Sequence, residues 1–248
     1  MPDPIFSHRR LAAVYDPLDP DRSDLDVYAA IARESGARSV LDIGCGTGTF
    51  ACMLAAAGFA VVGLDPSEAS LEIARSKPAA DRVRWIHGYA HHLPTLQVDL
   101  ATMTANVAQV FLTDDDWAAT LRAAYAALRP GGLMVFETRD PAAQAWLEWT
   151  PEKSRIRTDI PGVGRVDTWD EVTRAGDGLV TFRWTIVFES DGEVLTSEST
   201  LRFRDRGEVG RSLAAAGFTL EEVREAPDRP GREMVFFARR GEAPPASE

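Results

Sequence analysis

The chain has 248 residues, 45% hydrophobic and 26% charged, enough for one large α/β domain or a domain with an added lobe. Its 38 acids against 27 bases give a net charge of −11, which disfavours RNA or DNA as partner because a polyanion needs a basic face. No apolar run approaches the roughly 20 residues that cross a bilayer, and Met1-Pro2-Asp3-Pro4 lacks the basic start and apolar core of a secretory signal, so a cytoplasmic protein with no membrane partner is expected.

Residues 1–23 are rich in Pro and Asp, with one apolar patch, Leu11–Tyr15, read as a short helix or turn before the loop Asp16–Ser23. Asp24 can cap a helix to Ser35 that buries Val27, Tyr28, Ile31 and Ala32 and stops at Gly36. Then Val40-Leu41-Asp42-Ile43-Gly44-Cys45-Gly46-Thr47-Gly48 runs from a short apolar strand into a glycine turn, and Phe50, Met53, Leu54 and Ala57 recur at helical spacing after it. Glycines there permit unusual φ and let a ligand approach bare backbone, the pattern of a nucleotide-binding βα turn. Cys45 and Cys52 have no partner pattern, so they read as small buried residues, and no metal site is expected.

Alternation follows: strand Ser39–Ile43, helix Thr49–Ala57, strand Ala60–Asp65, helix Ser67–Lys77, strand Val83–His87, a loop through Pro94, and strand Asp99–Met103. Thr113 can cap the next helix against Asp116, with Trp117, Leu121, Ala124, Tyr125 and Leu128 as its apolar stripe. Arg129-Pro130-Gly131-Gly132 should break it before strand Leu133–Glu137. Strands alternating with helices predict a parallel sheet. From 140 to 204 the period becomes two: Val180, Phe182, Trp184, Ile186 and Phe188 alternate with Thr181, Arg183, Thr185, Val187 and Glu189. Val166–Arg174 and Val194–Arg204 flank that strand, so an inserted antiparallel meander is expected. Asp205 and Glu208 can cap a further helix. The closing strands, Thr219–Glu225 and Met234–Arg239, are joined too tightly for a crossover and should be antiparallel. Residues 241–248 read as a disordered tail.

The turn spells G-x-G-x-G with Asp42 before it, where the dinucleotide fingerprint is G-x-G-x-x-G around a pyrophosphate. A carboxylate suits an ammonium group better than a pyrophosphate. Joined with Asp65 at the end of the second strand, Arg129-Pro130-Gly131-Gly132, and Ala215-Ala216-Gly217-Phe218 before the final pair, the sequence resembles the class I S-adenosylmethionine-dependent methyltransferase family over most of 39–139 and 205–240. The resemblance implies a Rossmann-like, doubly wound, mostly parallel sheet with an antiparallel final strand. Residues 1–139 and 205–240 would form the core, with 140–204 as an inserted β lid. It implies S-adenosyl-L-methionine as cofactor, with Gly44, Cys45, Gly46 and Gly48 around its methionine part, Asp42 near its amino group and Asp65 on its ribose. Pro66, Ser67, Tyr89 and the backbone of Ala90 would lie at the adenine, although Gly88-Tyr89-Ala90 stands where the family often has Gly-Asp-Ala. Asn106, Val107 and Gln109 would face cofactor and substrate, and Tyr15 would cover the cofactor.

Methyl transfer depends mainly on alignment, so an obvious triad is not required. His91 and His92 are candidate bases, the blander reading being loop packing. Glu137 and Arg139 leave the fifth strand at the ligand end of the sheet. Trp146 and Trp149 are candidates for an aromatic acceptor pocket and Arg183 for holding an acceptor carboxylate, while Trp184 fits the core of the meander. The reading is methyl transfer to a nitrogen or oxygen of a small molecule. The alternatives are an S-adenosylmethionine-binding protein that transfers no methyl and an NAD-dependent oxidoreductase. The sequence carries no signal for oligomeric state.

Overall fold

Residues 2–241 are described in the computed structural model, so the predicted tail lies outside the described residues except for Gly241. Two short helices open the chain, α1 (Pro4–Ser7) and α2 (Arg9–Leu18), followed by α3 (Asp24–Glu34). α2 runs through what the sequence presents as the start of a loop: Leu11, Val14 and Leu18 form one buried stripe, and Pro17 is accommodated in the last turn. Asp24 does not cap α3. It is the first helical residue, and its carboxylate pairs with Arg22 at 3.1 Å.

The alternating part consists of β1 (Ser39–Ile43), α4 (Thr49–Ala56), β2 (Ala60–Asp65), α5 (Glu68–Ser76), β3 (Val83–His87), β4 (Val98–Met103), α6 (Asp114–Ala127) and β5 (Leu128–Arg139). Thr113 caps α6 by accepting the Asp116 N–H, as the sequence predicts. Arg129-Pro130-Gly131-Gly132 does not separate α6 from a later strand. It is a bulge inside β5: Leu128 pairs with Val98, and the ladder resumes with Leu133 opposite Leu100.

The lid region contains α7 (Pro151–Ser154), β6 (Ile156–Ile160), β7 (Gly164–Gly176), β8 (Leu179–Phe188) and β9 (Val194–Arg202). These four strands form one antiparallel sheet, and β6 is a strand the periodicity does not announce. The chain closes with α8 (Arg206–Ala215), whose Asp205 and Glu208 form the predicted capping box, then β10 (Phe218–Glu225) and β11 (Glu233–Arg240). The large sheet has the order β10-β11-β5-β4-β1-β2-β3, parallel except that β11 is antiparallel to both neighbours.

Period-two alternation divides the core between the two faces of this sheet. Val40, Val61, Leu100 and Val135 pack under α3 and α4, whereas Leu41, Leu64, Met103 and Phe136 pack under α6 and α8. A third cluster joins the N-terminus to the lid: Ile5, Leu11, Val14 and Leu18 pack on Ile160, Val166, Ile186 and Phe188. The meander therefore does not build a core of its own; α1 and α2 supply half of it. Strand order reverses between β1 and β4, which opens a crevice at the carboxyl ends of those strands where open α/β sheets bind ligands. Among the described residues, no helix is long and apolar enough to cross a membrane.

Candidate functional site

The glycine turn occupies that crevice. Gly44, Gly46 and Gly48 have φ of 72°, 53° and 76°, the left-handed region that a Cβ resists. The three serve different purposes. A Cβ on Gly44 would lie 2.6 Å from Val107 Cγ1, and one on Gly48 would lie 2.6 Å from Trp85 and 2.7 Å from Ala74 Cβ. Only at Gly46 would a Cβ meet nothing within 4 Å. Bare backbone open to a ligand is thus Gly46 alone, and the outer two glycines admit protein side chains. Cys45 is half-buried here, and burial, with Asp42 and Asp65 nearby, raises its thiol well above the usual range, which disfavours the thiolate.

Two acids flank the turn. Asp42, 1% exposed, accepts the Thr102 hydroxyl at 3.0 Å through Oδ1, while Oδ2 has no partner among the described residues. Burial, reinforced by the Asp65 charge, pushes its carboxyl up to about 7. Asp65 at the end of β2 accepts the Gly46 N–H through Oδ2 and the Ser67 N–H through Oδ1, both at 2.8 Å. Burial still holds its carboxyl above the usual value. Each of its oxygens keeps a lone pair for a further donor. An unpaired buried carboxylate oxygen beside open backbone, with a second acid one strand away, fits a ligand that has one ammonium group and a pair of hydroxyls.

On the β2–β3 side, Ser67 is occupied: it caps α5 by accepting the Ser70 N–H and donates to the Phe6 carbonyl at 2.6 Å. Pro66 presents its carbonyl to His87 Nε2 at 3.1 Å. Ala90 is buried, but Tyr89 is 43% exposed with its ring stacked on His91. His92 accepts the Tyr89 N–H through Nδ1. His91 and His92 are both exposed on this surface turn, just after the carboxyl end of β3.

The N-terminus clasps the turn from the other side, which no sequence motif indicated. Thr47 donates to Asp16 at 2.6 Å, and Lys77 Nζ lies 2.6 Å from both Asp16 and Thr49 Oγ1. The same segment reaches the lid, where the Ile5 N–H donates to Ser197 and Arg10 pairs with Asp191 at 2.8 Å.

After β4 the chain turns through Ala105 and Asn106, non-glycine residues at φ of 56° and 61°, a strained arrangement of the kind that collects at functional sites. The Asn106 N–H donates to Glu137 Oε1, and its amide donates to Glu233 Oε1, both at 3.1 Å. Glu137 Oε2 and Asn106 Oδ1 have no partners among the described residues. Burial, then the neighbouring Glu233, pushes Glu137 up to about 8, so it is largely protonated at neutral pH. Val107 packs on Gly44, as its approach there requires. Gln109, fully buried, accepts from Arg139 at 2.9 Å, and Arg139 lies 3.7 Å from Glu233.

Arg139 forms the floor of a cleft between the sheet and the lid. Its guanidinium lies over Trp149, which packs on Phe182 at 5.0 Å, and Trp146 packs on Phe203 at 4.6 Å. A cavity of about 220 Å³ opens here between Arg139, Trp149, Arg229, Arg232, Glu148 and Glu233. Tyr15, half-buried, packs edge-on to Trp184 at 6.4 Å, and the Arg139 charge bears on it. Trp184 thus meets α2 as well as the lid. Arg183, expected in the pocket, is not there. On a strand its side chain faces away from Trp184, and it pairs loosely with Glu171 and Glu198 at 3.9 and 3.7 Å on the outer surface. Sequence reasoning missed Asp16, Lys77, Asp170 and Glu233, all brought in by contacts distant in sequence.

Comparison with known proteins gives the arrangement its context. Residues 40–132 match the family model for a methyltransferase domain. The cypemycin N-terminal methyltransferase of a Streptomyces species is 33% identical over 119 residues, 48% of this chain and 49% of that protein. A malonyl-[acyl-carrier protein] O-methyltransferase of Serratia marcescens is 28% identical over 212 residues, 81% and 76% of the two chains. The chain spans about half the length of most curated relatives it matches. Among solved structures, the sugar N-methyltransferase KedS8 of a Streptoalloteichus species superposes with a TM-score of 0.73 at 20% identity, covering 93% of this chain and 92% of that one, a likeness of fold.

Proposed function

Because the chain belongs to the class I S-adenosylmethionine-dependent methyltransferase family, we propose that it methylates a nitrogen or oxygen of a small organic molecule bound between the sheet and the lid. The observation that carries this reading is the adjacency of two unlike sites: the unpaired Asp42 oxygen beside the open Gly46 backbone, and an aromatic cleft that begins at Arg139 and Trp149. The first suits the cofactor and the second an acceptor. S-adenosylmethionine supplies a methyl group already activated on a sulfonium ion.

The protein's own work is then alignment and exclusion of water. Asp42 would take the cofactor's amino group, and Asp65, steadied by the Gly46 and Ser67 N–H groups, its ribose hydroxyls. Pro66, Tyr89 and Ala90 would border the adenine, with Ser67 acting through the chain rather than by contact. Asn106 and Val107, fixed by Glu137 and Gly44, would form the wall between cofactor and acceptor. Tyr15 would close the cleft, and residues 140–204 would choose the acceptor. The net charge of −11 supports a small molecule rather than a nucleic acid as partner.

Calorimetry with S-adenosylhomocysteine and with NAD separately tests the cofactor half, and preference for NAD would overturn it. A screen of small amines and alcohols with a labelled methyl donor tests the other half. Tight S-adenosylhomocysteine binding with no transfer to any acceptor would favour a protein that binds the cofactor without transferring methyl.

A further inference from the structure

Asp170 lies on β7 directly opposite Trp184 of β8, so their side chains stand on the same face of the lid sheet, the face turned toward α2 and the core. Its backbone is fixed: the N–H donates to Ser154 Oγ at 2.8 Å, and the carbonyl accepts from the same hydroxyl at 3.2 Å. The carboxylate, by contrast, makes no hydrogen bond or ion pair among the described residues. The nearest cation it senses is Arg139, which is engaged with Gln109 and Glu233. Tyr15 packs edge-on to that Trp184 at 6.4 Å, so Asp170, Trp184 and Tyr15 lie together on this face of the lid, where the Arg139 charge bears on both Asp170 and Tyr15. Burial lifts the Asp170 carboxyl to about 6, which leaves it ionised at neutral pH in a place where ionisation is costly.

A rigidly placed, unpaired carboxylate against aromatic rings is the chemistry that recognises a cationic nitrogen, through charge and through the ring quadrupole together. An alcohol gains much less from either. An ammonium held there must first lose one proton to solvent to expose the lone pair that attacks. As the N–C bond forms and the cofactor's S–C bond breaks, leaving S-adenosylhomocysteine, the nitrogen becomes cationic again and stays so until it loses a second proton. A carboxylate beside that atom favours the charge as it develops.

We propose that Asp170, with Tyr15 and Trp184, forms a seat for the basic nitrogen of the acceptor, so that the natural acceptor is an amine carried on a compact organic frame. This rests on the methyl-transfer reading above and narrows it from nitrogen or oxygen to nitrogen.

The test uses the full chain saturated with S-adenosylhomocysteine and two probes of the same shape, cyclohexylamine, which is protonated at neutral pH, and cyclohexanol, followed by tryptophan fluorescence and calorimetry. The ammonium probe is expected to bind about tenfold or more tighter than the alcohol. Asp170→Asn is expected to bring the two to parity while leaving S-adenosylhomocysteine affinity unchanged and Tm no lower than that of the wild type. Equal binding of the probes to the wild-type protein, a preference that survives in Asp170→Asn, or no saturable binding of cyclohexylamine would each overturn the proposal. The wild-type comparison stands without any variant, so misfolding of Asp170→Asn cannot hide the answer. Failure to bind S-adenosylhomocysteine would count against the methyl-transfer reading instead, because the probe comparison can also be run without it.

Discussion

Replacing Asp42 by Asn should make the protein without ligand more stable and its cofactor binding weaker, two changes of opposite sign from one atom. Raising the carboxyl from 3.8 to about 7 means that ionising it in the folded protein costs on the order of 4 kcal/mol more than in the unfolded chain. Because the folded value lies above the unfolded one, the folded state holds the extra proton between those values. Stability therefore falls as pH rises from about 4 through about 7 and levels off above. Asn removes this slope. It keeps the bond from Thr102 but places an amide NH₂ where Oδ2 has no partner, an unsatisfied donor that costs ~1–3 kcal/mol. The net gain at pH 8 is then ~1–3 kcal/mol, several degrees of Tm in a chain of this size, and little or nothing at pH 5.

The same substitution removes the charge that would face the cofactor's ammonium. Losing one partner of a buried charge pair costs about 2 kcal/mol or more, a loss of roughly thirtyfold or greater in affinity for S-adenosylhomocysteine. Wild-type affinity should itself weaken below about pH 7, where Asp42 must first release a proton. Differential scanning of both proteins from pH 5 to 8, with calorimetry on the same samples, reads both effects. If wild type and variant keep parallel stability across that range, or bind S-adenosylhomocysteine equally, the assignment of Asp42 is wrong.

Three further outcomes are expected. Asp65→Asn should lower S-adenosylhomocysteine affinity about tenfold or more, since it spoils the acceptor set that would meet the ribose; unchanged affinity by calorimetry would remove Asp65 from the site. Gly48→Ala should destabilise by ~2–4 kcal/mol, from left-handed strain and contact with Trp85, whereas Gly46→Ala should cost only the strain of ~1–2 kcal/mol and lose binding instead; denaturant midpoints and calorimetry of the pair separate the two roles. Asp16→Ala should reduce stability by about 1 kcal/mol or less, because the pair with Lys77 is partly exposed, yet speed S-adenosylhomocysteine release in stopped-flow fluorescence by loosening the N-terminal clasp. An unchanged release rate would show that the clasp does not gate the site.

What could be read in the sequence was local. Thr113 with Asp116 and Asp205 with Glu208 are caps made within four residues, and both form as read. The strand spans of β1, β2 and β3 follow from apolar runs closed by Asp42-Ile43, Asp65 and His87. What could not be read depended on distant partners. Arg129-Pro130-Gly131-Gly132 has the composition of a break, but pairing of Leu128 with Val98 carries the strand past it. Strand β6 is an exposed edge with a single buried residue, Ile160, and gives almost no period. Glu233 reaches Asn106 across 127 residues, a separation that no spacing rule covers. Arg183 is a different kind of error: its parity opposite Trp184 was visible, and following that parity alone would have placed it on the outer face.

The distribution of acids gives the site a logic that composition conceals. Asp42, Asp65 and Glu137 close β1, β2 and β5, and burial raises all three carboxyls. None of them forms an ion pair among the described residues, although the chain places arginines against acids elsewhere on its surface. A lysine or arginine in the crevice would relieve each carboxyl and stabilise the fold by the mechanism that now destabilises it, but it would occupy the volume that a ligand needs. The fold offsets these costs through its two-sided core and the N-terminal clasp, so the unmet charge at Asp42 remains for a cation that arrives with the cofactor. By the same reasoning, Asp170 on the lid waits for a second cation, the one that arrives with the acceptor.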